Sequence, residues 1–127
     1  EIPPNSRVRY GVAAVGTKIY AIGGIDGWER LSTCDIYDAQ TDQWSKAPEL
    51  NTQRSFMATG VVDDKIYVAG GYDGSSALDT VEMLNTNDEF PEWVTMQGKM
   101  LKPRGGSASC VLNGLLYVIG GHDGQDI

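Results

Sequence analysis

"IYAIGGIDG" at residues 19–27 returns as "IYVAGGYDG" at 66–74 and again as "LYVIGGHDG" at 116–124. A catalytic motif is normally written once, whereas a motif repeated every 47 to 50 residues marks architecture. Each copy reads as an alternating strand that runs into two glycines and an Asp-Gly turn. Other landmarks keep step with it. Arg7, Arg54 and Arg104 each stand 16 residues before the first glycine of their pair. Between arginine and motif lie the strand-like segments "YGVAAV", "MATGVV" and "SASCVL". After the first two glycine pairs come the alternating runs "STCDIYD" and "DTVEMLN", then Trp44 or Trp93.

Each full unit therefore predicts four short strands. In the first unit they fall at 9–15, 18–23, 33–38 and 43–46, and in the second at 56–62, 65–70, 80–85 and 92–96. The last unit shows only 107–112 and 115–120. The turns "VGTK", "VDDK" and "LNGL" join first strand to second. No helical periodicity exceeds one turn. The extra residues of the second copy gather around "DEFPEW", outside the strands, where insertions are tolerated. Sheet units that cannot bury both faces alone stack on copies of themselves, and four-stranded sheets stacked around an axis make a propeller. The prediction is an all-β chain of antiparallel blades: blade 1 over 7–53, blade 2 over 54–103, and half of blade 3 over 104–127.

Composition narrows the function. The chain has 127 residues, 41% hydrophobic and 21% charged, which is a globular balance. Its net charge of −7 opposes binding to nucleic acid or to an anionic membrane surface, and Arg7 with Arg9 makes no basic stripe. No window approaches 18 consecutive apolar residues. Cys34 and Cys110 are too few for a disulfide scaffold and read as free thiols. None of the five asparagines opens an Asn-x-Ser/Thr sequon. Together these point to a reducing, cytoplasmic compartment. The N-terminus "EIPPNSRVRY" carries neither a starting Met nor an apolar leader, so the chain is expected to be part of something longer.

Catalytic signals are lacking. His122 is the only histidine and has no companion nucleophile in sequence reach. There is no Cys-x-x-Cys and no His pair at metal spacing, so neither metal nor cofactor is expected. Gly-Gly-x-Asp-Gly lacks the Lys-Ser/Thr of a phosphate loop and ends a strand instead of opening a helix. Asp26, Asp73 and Asp123 occupy the same turn of different units, which spreads them around a ring.

The combination of a repeated Arg, then Ile-Tyr-x-x-Gly-Gly-x-Asp-Gly, then Tyr-Asp and Trp resembles the kelch repeat. It is most similar to the kelch-like proteins, in which a BTB domain precedes the propeller. The resemblance implies a kelch-type propeller, usually of six blades, of which about two and a half are present here. Leu84, where the first copy has Tyr37, departs from the pattern. The repeated letters read as structural: Arg7, Arg54 and Arg104 bonding buried carbonyls or a carboxylate; Gly23, Gly24, Gly70, Gly71, Gly120 and Gly121 admitting a neighbour's backbone; Asp26, Asp73 and Asp123 closing turns; and Trp44 and Trp93 covering the blade flank.

Recognition is then sought where the copies differ. In an up-and-down sheet, the loop after the second strand and the link between blades emerge at one rim. There Ile25, Tyr72 and His122 follow the glycines, and Arg9, Phe56 and Gly106 lie two past the repeated arginine. Trp28 and Arg30 stand against Ser75 and Ala77. Kelch-like proteins hold a partner peptide on this face. Carried over by position, Arg9 and Tyr72 lead, with Tyr10, Trp28, Arg30, Phe56 and His122 beside them. The resemblance implies a protein-binding module, the substrate-recruiting propeller of a cullin-type ubiquitin ligase adaptor. An actin-binding kelch module is the alternative, and a fragment of a kelch-scaffold enzyme is a remote third.

Overall fold

The structure is a computed structural model that describes residues 7–124. Its strands are β1 (Gly11–Val15), β2 (Lys18–Ile22), β3 (Ile25–Asp26), β4 (Glu29–Arg30), β5 (Cys34–Asp38) and β6 (Gln43–Ala47). They continue with β7 (Ala58–Val62), β8 (Lys65–Ala69), β9 (Val81–Asn85), β10 (Trp93–Thr95), β11 (Ala108–Leu112) and β12 (Leu115–Ile119). Blade 1 is the sheet β1-β2-β5-β6, and blade 2 is β7-β8-β9-β10. The ribbon β11–β12 begins a third. All pairings are antiparallel, and the described residues contain no helix. The chain is thus an all-β partial propeller. Residues 125–127 of the expected half-blade lie outside the described residues.

The first hairpin of every blade closes through two residues, as the pairs Val15–Lys18, Val62–Lys65 and Leu112–Leu115 show. Asp63 and Asp64 are both left-handed (φ 51° and 60°), as are Asn113 and Gly114 (53° and 75°). That geometry follows the right-handed strand twist, so the turn sets the register. Two details differ from the sequence reading. The first strands begin at Gly11 and Ala58 rather than at 9 and 56, because Arg9 and Phe56 adopt left-handed φ of 55° and 56° and break the extended run. The stretch "IDGWERLS" is also no plain loop: β3 and β4 pair around a tight Gly27-Trp28 turn.

Blades meet through their innermost strands. A Cβ on Gly11 would strike Thr59 and Met57, and one on Gly60 would strike Leu116 and Val111, so glycine lets β1, β7 and the third ribbon approach closely. The core between them holds Tyr20, Ile22, Met57, Ile66, Val68 and Leu84, closed at the flank by Trp93. Trp93 donates its indole N–H to the Pro48 carbonyl of the inter-blade link (2.9 Å). Leu84 stands across from Trp93 as Tyr37 stands across from Trp44, so the departing residue still backs its tryptophan. Tyr37 and Trp44 meet in a tilted contact at 5.3 Å.

The repeated arginine does the joining. In blade 2, Arg54 is fully buried; Nη1 donates to the carbonyls of Gly70 and Thr80, and Nη2 to Glu82 at 2.8 Å. Burial pulls the Arg54 pKa down, and the adjacent Glu82 carboxylate opposes that shift. Glu82 also accepts the backbone N–H groups of Asn51 and Thr52, so the link from blade 1 is gathered onto the same carboxylate. Arg7 repeats the arrangement with Gly23, Thr33 and Asp35. The arginine backbone faces the other way. Arg54 N–H donates to Leu31 C=O (3.2 Å), and Arg54 C=O accepts Gly24 N–H (2.8 Å). Arg104 does the same with Leu78 and Gly71 at 3.0 and 2.8 Å. One residue thus fastens two strands of its own blade by its side chain and the preceding blade by its main chain. Gly23 and Gly70 make room for it: a Cβ on Gly23 would lie 2.5 Å from the Arg54 carbonyl oxygen, and one on Gly70 would collide with that of Arg104.

Arg54→Met strands Glu82 as a buried, unpaired charge and should cost about 3–5 kcal/mol in denaturant unfolding. Adding Glu82→Met should recover a substantial part of that loss. Cys34 lies in the core with its thiol pushed up to about 12 by burial, whereas Cys110 is exposed. A thiol reagent at pH 8 should therefore label Cys110 and spare Cys34 until the chain unfolds. Because the folded thiol ionises at higher pH than the ordinary value of 9.0, its contribution to stability is complete below about pH 9 and is lost as pH rises towards 12.

Candidate functional site

Four of the seven rim residues form one ladder across three blades. The Arg9 guanidinium lies 4.4 Å above the centre of the Phe56 ring. Phe56 in turn meets Tyr72 edge to face, with centroids 6.1 Å apart and planes at 90°. Tyr72 donates its hydroxyl to the His122 carbonyl at 2.6 Å. Its ring rests on Gly105, where any Cβ would collide with it. Main-chain bonds follow the same path: Phe56 N–H donates to Arg9 C=O and Gly106 N–H to Phe56 C=O, both at 3.0 Å.

The three residues on that path, Arg9, Phe56 and Gly106, share the left-handed backbone (φ 55°, 56° and 68°). Glycine holds it without a Cβ penalty, while an ordinary residue pays about 1–2 kcal/mol. The first two blades carry Arg and Phe there nonetheless. Strain of this kind persists where the surrounding structure holds the backbone, here through the main-chain bonds between neighbouring blades, and it clusters at functional sites.

The β3–β4 hairpin stands on the same rim. Its base is fixed: Ile25 is buried and exchanges two backbone bonds with Val8 (2.8 and 2.9 Å), and Leu31 N–H donates to Gly24 C=O at 2.8 Å. Its tip is bare, with Trp28 96% exposed. Tyr10, half-exposed, lies against Gly24 at the foot of the hairpin. Arg30 projects from β4 across Gly74 of the next blade and forms the wall between two pockets. One, of about 340 Å³, has Tyr72, Ser75, Ser76 and Asp123 on its other sides. The second, of about 440 Å³, is bordered by Trp28, Glu29, Gln53 and Asp73. The Nε of Arg30 is buried and has no hydrogen-bond partner among the described residues.

The repeated aspartates do not share one task. Asp73 accepts the N–H groups of Ser75 and Ser76 (2.7 and 2.8 Å), and these bonds hold its carboxyl below its usual range. Asp26 is an exposed member of β3, paired across the hairpin with Glu29. In the third loop, the Nδ1 of His122 accepts Gly124 N–H at 2.8 Å. Among the described residues, no group of three or more His, Cys, Asp or Glu side chains is placed to hold a metal ion. The sequence reading also passed over Gln53, which lines the second pocket and donates to the Asp73 carbonyl at 2.9 Å. Its signal was available: the position before the repeated arginine is Ser6, Gln53 and Pro103, different in every copy.

Blades of this topology, clamped by one repeated arginine and seated on paired glycines, define a kelch-repeat propeller. The chain belongs to that family: residues 3–127 match the KLHDC2/KLHL20/DRC7 Kelch-repeats domain. It is 32% identical over 126 residues to Kelch-like protein 23 of Homo sapiens, across 98% of this chain and 22% of that protein. It is 35% identical over 127 residues to Kelch-like protein 23 of Pongo abelii, with the same coverage. A Kelch repeat and BTB domain-containing protein of Caenorhabditis elegans is 28% identical over 131 residues, across 100% of this chain and 22% of that protein. The chain thus spans about a fifth of the length of these relatives.

The left-handed backbone gives a direct test of what Arg9 is for. Arg9→Gly, which copies the third blade, relieves about 1–2 kcal/mol of strain and forfeits about 0.5–1 kcal/mol of cation–π contact. Its denaturation midpoint should equal or slightly exceed that of the parent. A clear loss of stability would show that Arg9 is held for the fold.

Proposed function

We propose that this rim is a protein-recognition surface and that the chain serves as part of the substrate-recruiting propeller of a cullin-type ubiquitin ligase adaptor. The observation that carries the reading is the cost borne there. Two blades hold Arg9 and Phe56 in backbone that favours glycine, and a hairpin anchored at its base holds Trp28 bare in water. Trp, Tyr and Arg anchor interfaces because each joins a large contact area to a polar group. Arg9, stacked on Phe56, offers a positioned guanidinium to a carboxylate. Arg30 offers a second from between two pockets. Tyr72 contributes its ring, since its hydroxyl is spent on His122. No reaction is assigned to the rim: it binds, and chemistry belongs to whatever the complete assembly recruits. The presence of a relative named for both kelch repeats and a BTB domain supports the adaptor reading, and the exposed Cys110 thiol suits a reducing cytoplasm.

The test is capture of partners by the full-length protein with Arg9→Ala or Trp28→Ala. Trp28→Ala should melt with the parent and Arg9→Ala slightly below it, for the lost contact with Phe56; both should lose the same partner, Trp28→Ala by about 2 kcal/mol, roughly 30-fold in Kd. A cullin should be retained by parent and variants alike. Capture of the same proteins at the same strength by all three would exclude this rim. Actin filaments as the partner retained, with no cullin, would favour the cytoskeletal alternative.

A further inference from the structure

One rim position carries an acid in the first and last copies of the repeat and a serine in the middle one. Counted from the Asp-Gly of each loop, Glu29 corresponds to Ser76 and to Asp126. Pairing at the base of the loop keeps that correspondence in blades 1 and 2: Ile25 pairs with Arg30, and Tyr72 bridges to Ala77. Ser76 is exposed. Its N–H donates to Asp73 Oδ1 at 2.8 Å and its C=O accepts the Asp73 N–H at 3.1 Å, while its hydroxyl bonds nothing among the described residues. The turn is therefore closed without the side chain. Arg30 reaches the same place from blade 1. It lines the pocket of about 340 Å³ together with Ser76, its Cδ lies against Gly74, and its buried Nε has no partner among the described residues. The N–H groups of Ser76 and Ser75 hold the Asp73 carboxyl below its usual range, and the Arg30 guanidinium adds to that effect. Arg30 and Ser76 thus meet around one carboxylate.

We propose that Ser76 is a phosphorylation site and that its phosphate, received by Arg30, switches this part of the rim from mixed charge to acidic. In the transfer, the Ser76 oxygen bonds to the γ-phosphorus of a nucleoside triphosphate and the bond to the β-phosphate oxygen breaks. The nucleoside diphosphate leaves, and the hydroxyl proton passes to the base of the kinase. The flanking acids define the class of kinase: Asp73 three residues before Ser76 and Asp79 three after suit a substrate groove lined by Lys and Arg. The product carries about −1.5 to −2 charges and three strong acceptor oxygens. Arg30 offers donors to those oxygens, whereas Asp123, which lines the same pocket, and Asp73 oppose them. The modification therefore adds little to the stability of the fold; what it changes is the charge of the rim. It consumes a guanidinium otherwise offered to a partner carboxylate, and it supplies the acid that the middle copy lacks. An acidic partner segment is then held off by like charge. The switch rests on the reading of the rim as a recognition surface; the phosphate and its contact with Arg30 do not.

The full-length protein, incubated with MgATP and an acid-directed serine kinase, should take up phosphate at Ser76, located by mass spectrometry. Asp79→Asn should slow that uptake severalfold. In full-length protein translated with phosphoserine at position 76, the phosphorus resonance should titrate at lower pH than it does when Arg30→Gln is added. The guanidinium favours the dianion, while Asp73, Asp123 and Glu29 are common to both proteins. The partner lost by Trp28→Ala should bind the phosphoserine form about tenfold or more weakly than the parent. Phosphate on Ser75 or elsewhere, with none on Ser76, would overturn the proposal, as would equal titration with and without Arg30. A partner that Trp28→Ala loses but the phosphoserine form keeps at full strength would overturn the switch and spare the rim. If no partner depends on Trp28, the rim reading fails, and labelling and titration decide the site alone.

Discussion

A buried guanidinium is expensive unless its charge is paired, and this fold is arranged around that pairing: both Nη groups of Arg54 are bonded, while its buried Nε has no partner among the described residues. Arg54 sits without solvent contact among two carbonyls and one carboxylate. The acceptors belong to the second and third strands of its own blade, so satisfying the charge brings those strands into place. The Arg54 main chain is bonded at the same time to Leu31 and Gly24 of the blade before. A strand pairing, a sheet-to-sheet contact and a link conformation are thus set by one side chain and its own peptide groups. Gly23 and Gly70, the first glycines of their pairs, are the steric counterpart, since the carbonyl of the next arginine occupies the space a Cβ would need. Repetition of arginine and glycine at one spacing is the covalent record of that geometry.

The scaffold leaves its rim free to vary. Once the clamp fixes where each blade starts, the residue two positions on is set in a left-handed turn in all three blades. What differs is the side chain placed there: a cation, an aromatic ring or nothing. Arg9 on Phe56, Phe56 on Tyr72 and Tyr72 on His122 convert three separate loops into one ordered surface. Beside it the β3–β4 hairpin, rooted through Ile25, carries Trp28 outward. Order of this kind lowers the entropy lost when a partner binds, and that preorganisation favours affinity.

How far the sequence revealed this depends on whether a residue has the same task in each copy. Strands, two-residue turns and the antiparallel order were legible, because repeated letters report repeated backbone. The shared rim was legible from topology. The hairpin at 25–30 was hidden, because "IDGWERLS" had only "YDGSSALD" for comparison, and the two loops fold differently. Asp26 and Asp73 illustrate the same point: both stand in a Gly-Gly-x-Asp-Gly frame, but one joins a strand pair and the other closes a turn on two serine N–H groups. The left-handed starts at Arg9 and Phe56 were hidden because neither side chain advertises positive φ; only Gly106, read as the third member of the set, gives the clue. The ladder itself joins residues of neighbouring blades, a lateral relation that becomes readable only after the stacking is known.

The claim that one arginine holds two blades together is tested most directly by amide hydrogen exchange in Arg54→Met, read at Gly24. That amide lies in blade 1 and donates to the Arg54 main-chain carbonyl, which the substitution leaves chemically intact. If side-chain and main-chain fastening act as a unit, Gly24 should lose protection along with Gly70 of blade 2, whose amide donates to the Thr80 carbonyl. Undiminished protection at Gly24, with the loss confined to blade 2, would contradict it.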